Sequence, residues 1–176
     1  GNIFARRAGA DSDAPPVTIG SHLDSQPSGG KFDGAYGVMA GLEVVRTLND
    51  AGIRTRAPLE VVSWTNEEGS RFVPTLMGSG VYAGVFPLDR ILEEKDVDGV
   101  KVRDALNQTG YAGKAKPHKL GAYFEAHIEQ GPVLEHARYD EWVQEDRLIY
   151  EDRVTRAHLD LALDSLAEGQ RSVCLR

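Results

Sequence analysis

The run Leu59-Glu60-Val61-Val62-Ser63-Trp64 is rich in apolar and β-branched residues and reads as a buried strand. Two adjacent carboxylates, Glu67 and Glu68, follow within Asn66-Glu67-Glu68-Gly69, where that strand should end. Neighbouring side chains on a strand point to opposite faces, so a regular strand cannot aim both at one target. A turn over Asn66 to Gly69 can. Crowded carboxylates repel unless a cation lies between them or one holds a proton. The residues alone leave two readings open. Either the pair is solvated in a loop, as exposed acidic pairs commonly are, or one Glu ligates a metal while its neighbour acts as a base on water.

The flanking pattern gives this strand a frame. Residues 2–6 read as a short strand, and Pro16 to His22 as a second, buried one. Leu23 to Gly34 is a loop dense in Asp, Ser, Pro and Gly. Tyr36 to Ala51 is the clearest helix, with Val38, Leu42, Val45 and Leu48 as its apolar stripe and Gly52 as its stop. Short helices are expected near Ser79 to Val85, over Pro87 to Glu94 and over Val100 to Thr109, the last closed by Gly110. Ala122 to Ile128 reads as a further strand, ended by Gly131-Pro132. Strands alternating with helices predict an α/β fold with a mainly parallel central sheet flanked by helices. In such sheets the functional loops gather at the carboxyl ends of the strands.

The polar clusters fall at those ends. His22 and Asp24 close one strand, Glu67 and Glu68 the next, and His127 with Glu129 and Gln130 a third. Asp33 precedes the clear helix, where it is either an N-cap or a carboxylate able to bridge two cations. Asp24 is placed to orient an imidazole, as carboxylates do behind metal-bound histidines. Nitrogen and oxygen ligands of this kind suit zinc, manganese, cobalt or nickel and do not choose among them. There is no Gly-rich phosphate loop, no Gly-x-Ser-x-Gly elbow and no cysteine near a histidine.

A net charge of −7 argues against nucleic acid or an anionic membrane as the main partner. The single cysteine, Cys174, cannot form an internal disulfide, no apolar run is long enough to span a bilayer, and no signal-peptide pattern opens the chain. The cytoplasm is the expected location.

Four segments carry a resemblance. They are Gly20-Ser21-His22-Leu23-Asp24-Ser25-Gln26-Pro27, Gly29-Gly30-Lys31-Phe32-Asp33-Gly34-Ala35-Tyr36-Gly37-Val38, Thr65-Asn66-Glu67-Glu68-Gly69-Ser70-Arg71-Phe72 and Glu125-Ala126-His127-Ile128-Glu129-Gln130-Gly131-Pro132. In this order they resemble the hydantoinase/carbamoylase family. This is the N-carbamoyl-L-amino-acid hydrolase, β-ureidopropionase and allantoate amidohydrolase branch of the M20-type metallopeptidase clan. The resemblance implies that His22 and His127 bind one metal, Asp33 bridges two, and Glu68 binds the second. It implies Glu67 as general base, Asp24 behind His22, and Gln130 facing the substrate or the activated water.

The implied activity is hydrolysis of the ureido or amide C–N bond of N-carbamoyl amino acids or related ureides, with two divalent ions per site. An N-acyl amino acid or dipeptide substrate is an alternative. So is a metal-binding fragment without catalysis. The family's lid domain, which carries its homodimer contacts, has no counterpart here. The chain is therefore expected to be a piece: residues 1–135 a partial catalytic domain, residues 136–176 a charged, helical tail outside the resemblance.

Overall fold

The computed structural model describes residues 1–27 and 29–128. The elements run β1 (Ile3–Arg7), β2 (Val17–His22), α1 (Ala35–Asp50), β3 (Leu59–Trp64), α2 (Met77–Tyr82), α3 (Leu88–Glu93), α4 (Val102–Thr109) and β4 (Ala122–Phe124). The strands form one sheet in the order β1-β3-β2-β4. β2 pairs parallel with both β3 and β4, while β1 pairs antiparallel with β3. The sheet is thus mixed, with a parallel core and one antiparallel edge.

β3 is buried along nearly its whole length, and Val62 is fully enclosed. That explains its near-continuous apolar composition, since a strand covered on both faces has no solvent side to make polar. The exception is Glu60, which is buried and accepts hydrogen bonds from Arg6, Thr18 and His118.

Helix α1 lies against β2 and β3 through a face that keeps most of its apolar stripe and departs from it at Leu42. Gly37, Val38 and Gly41 are its buried residues. Val45 and Leu48 are half-buried, and Leu42 is exposed. A Cβ at Gly41 would come within 3.2 Å of Ile19 and Val61. The missing side chains let the helix settle close to the sheet and turn Leu42 outward. At the other end the Gly52 amide donates to the Asn49 carbonyl and the Ile53 amide to that of Leu48. This paired closure ends the helix at the glycine, as expected.

Helices α2 to α4 build a second small core from Phe72, Met77, Ile91, Val102 and Ala105. α2 starts two residues earlier than its predicted span and stops at Tyr82, ahead of Gly84 at φ 75°. β4 is shorter than expected and leaves the ladder at Phe124 instead of reaching Ile128. None of the described helices is long and apolar enough to cross a membrane.

Candidate metal centre

The parallel register brings the strand ends level. His22 pairs with Trp64, and Ile19 pairs with Phe124. Three residues past each member of that second pair stand His22 and His127. The Nε2 atoms of the two rings are 3.3 Å apart. His22 is 1% exposed, and the ring lies so close to the start of α1 that a Cβ on Gly34 would sit 2.4 Å from its Cε1 and Nδ1. Gly34 has φ 65°, a left-handed turn that brings the chain from the loop into α1.

Both ring orientations are fixed by carbonyls. His22 Nδ1 is 2.8 Å from the Asp24 carbonyl oxygen, and His127 Nδ1 is 2.8 Å from that of Ile128. A carbonyl only accepts, so Nδ1 carries the proton in each neutral ring and Nε2 presents a bare lone pair. Asp33 Oδ1 is 3.2 Å from His127 Nε2, close enough for an ion pair with a protonated ring. With the ring proton on Nδ1 that oxygen has no donor among the described residues, where it is buried without a hydrogen-bond partner. Asp33 does not cap α1; Gly34 holds the N-cap position, with no side-chain cap bond.

Three acceptor atoms, from His22, His127 and Asp33, therefore converge without a proton among them. Lone pairs facing one another in a partly dry site are costly unless a cation joins them. The spacing suits one: two imidazole nitrogens on a tetrahedral ion at about 2.0–2.1 Å stand about 3.3–3.4 Å apart. The residues present fit a divalent transition ion.

A second group shares His22 and adds Glu67 and Glu68. Asp33 belongs to the first group and Glu68 to the second. Glu67 Oε2 is 3.5 Å from His22 Nε2. Asn66, in left-handed backbone at φ 51°, opens the turn. Its amide donates to the Phe72 carbonyl at 2.8 Å and closes the loop. The Asp24 carboxylate was expected behind His22. It stands 3.8 Å from Nδ1, within ion-pair reach of a protonated ring, and also accepts the Glu67 and Glu68 backbone amides, one on each oxygen, at 3.1 Å. Glu68 Oε2 accepts from Gln26 at 2.6 Å.

Burial raises the Glu67 carboxyl above the ordinary glutamate range. His22 and His127 oppose the rise, and Glu68 and Asp24 reinforce it. A cavity of about 310 Å³ opens beside Glu67, walled by Trp64, Tyr82 and Tyr123. Gln130 and the expected helical tail over 136–176 lie outside the described residues.

Gln26, Ser21, Tyr123 and Glu125 were not singled out from the sequence. Ser21, Gln26 and Glu125 stand inside the quoted motifs, which was the available signal. Glu125 accepts from Ser21 Oγ at 2.6 Å and from Tyr123 Oη at 2.7 Å.

The fold and this cluster of histidines and carboxylates form a candidate metal centre at the end of the parallel core of a mixed sheet. The chain belongs to the peptidase family M20/M25/M40, whose pattern it matches over residues 18–169. It is 54% identical over 137 residues to an N-carbamoyl-L-amino-acid amidohydrolase of Rhizobium meliloti, covering 77% of this chain and 33% of that protein. It is 40% identical over 140 residues to an allantoate amidohydrolase of Bacillus subtilis, covering 77% and 34%. A hydantoinase/carbamoylase family amidase from Burkholderia ambifaria superposes with a TM-score of 0.73 at 63% identity, covering 77% of this chain and 34% of the other. The chain spans about a third of the length of these relatives.

Proposed function

We propose that this chain carries the metal-binding and base residues of an amidohydrolase that cleaves linear C–N bonds of N-carbamoyl amino acids or related ureides. The observation that carries the proposal is the convergence of His22 Nε2, His127 Nε2 and Asp33 Oδ1 without a proton donor, with Glu67 3.5 Å from the same His22 nitrogen. The names of the relatives supply the substrate class. His22, His127 and Asp33 would hold a divalent ion. Glu68, with Asp33 shared, would hold a second. Zinc, manganese, cobalt and nickel all suit these donors. Such ions polarise a carbonyl and acidify water when bound.

Glu67 does the proton work. Its raised affinity for a proton suits a group that must take one from water and give it back. It removes the proton of the attacking water as the oxygen adds to the ureido carbonyl. It then delivers that proton to the leaving nitrogen as the C–N bond breaks. The products are the free amino acid and carbamic acid, which falls apart to ammonia and carbon dioxide. Asp24 holds the Glu67 and Glu68 main chain, and Gln130 would face the substrate or the activated water. The cavity beside Glu67 leaves the base an open side on which a substrate can rest.

The test pairs calorimetric titration of zinc or manganese with ammonia release from a panel of N-carbamoyl amino acids and allantoate. Both are run on the purified chain and on the chain joined to the remaining sequence of the Rhizobium meliloti relative. Metal uptake by the chain, with ammonia release from the joined protein, is expected. Absence of ion binding, or a metal-loaded joined protein that releases no ammonia from any member of the panel, overturns the proposal.

A further inference from the structure

The β2–β4 ladder ends at Ile19 and Phe124, yet His127 stands three residues further on and faces His22 across 3.3 Å. Past the ladder, the spacing of the two chains needs another tie. Glu125 lies in that gap. Its Oε1 accepts from Ser21 Oγ at 2.6 Å, and its Oε2 from Tyr123 Oη at 2.7 Å. Tyr123 Oη in turn accepts from Trp64 Nε1 at 2.8 Å. Ser21 is fully buried and directly precedes His22. Trp64 ends β3, three residues before Glu67. One carboxylate thus gathers the ends of β2, β3 and β4, and each of those ends leads to a residue of the two metal groups. On the other side of the segment, the Ala126 carbonyl rests over Gly37, where a Cβ would come within 2.5 Å of it. The chain between Phe124 and His127 is held from above by a helix and from the side by Glu125.

We infer that Glu125 is a positioning residue for the first metal group: its carboxylate, through Ser21 and Tyr123, sets how closely His127 approaches His22. The inference rests on the proposal that His22, His127 and Asp33 hold an ion. Side chains that orient metal ligands from behind are typically worth roughly 10–100-fold in metal affinity. A side chain that merely staples the sheet end would change unfolding stability and leave metal affinity alone.

The experiment measures zinc affinity of the purified chain by competition with a chromophoric chelator, with thermal melting beside it. The variants are Glu125→Ala, Glu125→Gln, His127→Ala and the double variant Glu125→Ala/His127→Ala. Glu125→Ala should weaken zinc roughly 10–100-fold. Glu125→Gln should lose less, because the amide keeps one acceptor oxygen. With His127 already removed, Glu125→Ala should weaken zinc no further, since two residues acting through one contact are not additive. Unchanged affinity in Glu125→Ala overturns the inference, and so does an equal loss with and without His127. If Glu125→Ala does not fold, Ser21→Ala and Tyr123→Phe each remove one arm of the same tie. Unchanged zinc affinity in both would then overturn it. Failure of the unsubstituted chain to bind zinc would defeat the metal proposal itself, a result distinct from any of these.

Discussion

The two groups that share His22 differ in how their polar atoms are satisfied. On the side of His127 and Asp33, three acceptors meet, and with both ring protons on Nδ1 none has a donor among the described residues. On the side of Glu67 and Glu68, the main chain is pinned by Asp24 and one carboxylate already has a donor in Gln26. The first region is strained toward a cation; in the second, hydrogen bonds already hold the main chain and one oxygen of Glu68. Under the proposed function these states suit, in turn, the ligands of the first ion and a loop that carries a base beside a ligand of the second. Ligands must stay hungry until the ion arrives, whereas a base must be held still while its own carboxylate remains free to trade a proton.

The comparison can be broken most sharply at Glu67. In the metal-loaded protein joined to the rest of a relative's sequence, Glu67→Gln should keep its metal and lose kcat by roughly 10²–10⁴-fold, the usual worth of a general base. Near-normal kcat with intact metal would remove Glu67 from the base role. Next in size is the metal itself. Zinc at about 100 times its Kd should stabilise the chain by about 2.7 kcal/mol against urea. Asp33→Asn should cancel most of that gain. The same substitution should stabilise the metal-free chain by about 1 kcal/mol, because the amide can donate to an imidazole lone pair that now lacks a donor. Loss of stability in metal-free Asp33→Asn would mean that the first region is not strained. Asp24→Ala should act chiefly on the second region. It leaves two loop amides without their acceptor and should cost about 1.5 kcal/mol, toward the low end for charge-assisted bonds because the carboxylate is 31% exposed. Urea unfolding without metal reads this directly, and no change would release the loop from Asp24. The smallest effect belongs to Gln26→Ala, an exposed contact, with a shift within about 0.5 kcal/mol in stability. A larger one would show that Gln26 carries the loop.

Much of the frame was legible in the sequence. The spans of β2, β3 and α1, and the glycine stops at Gly52 and Gly110, follow from local composition and helix-end chemistry. The residues of the site were legible as motifs at strand ends. Other features depended on partners far along the chain. The alternation of Ala122 to Ile128 has the character of a strand, but the ladder needs β2 beside it, and the chain leaves that line after Phe124 to pass over Gly37. The stripe of α1 pointed to Leu42 because periodicity weighs large apolar residues and gives no credit to glycines that allow close approach. Asp24 illustrates the same limit inside the site. Its place beside His22 was evident, but its two oxygens turned to amides more than forty residues away. Glu125 was readable as part of a motif, and its tie to Ser21, 104 residues off, was not.

The two glycines of the α1 entry, Gly34 and Gly37, bear on how this site tolerates change. A Cβ on the first would come within 2.4 Å of the His22 imidazole, and one on the second within 2.5 Å of the Ala126 carbonyl oxygen. The helix therefore works as a gauge block: its backbone, with nothing added, limits how near to it the His22 ring and the segment leading to His127 can come. A methyl group at residue 34 would displace the first ring and a methyl group at residue 37 the segment that carries the second. The tightest tolerances in the candidate centre thus belong to two residues that have no side chain and touch no ion.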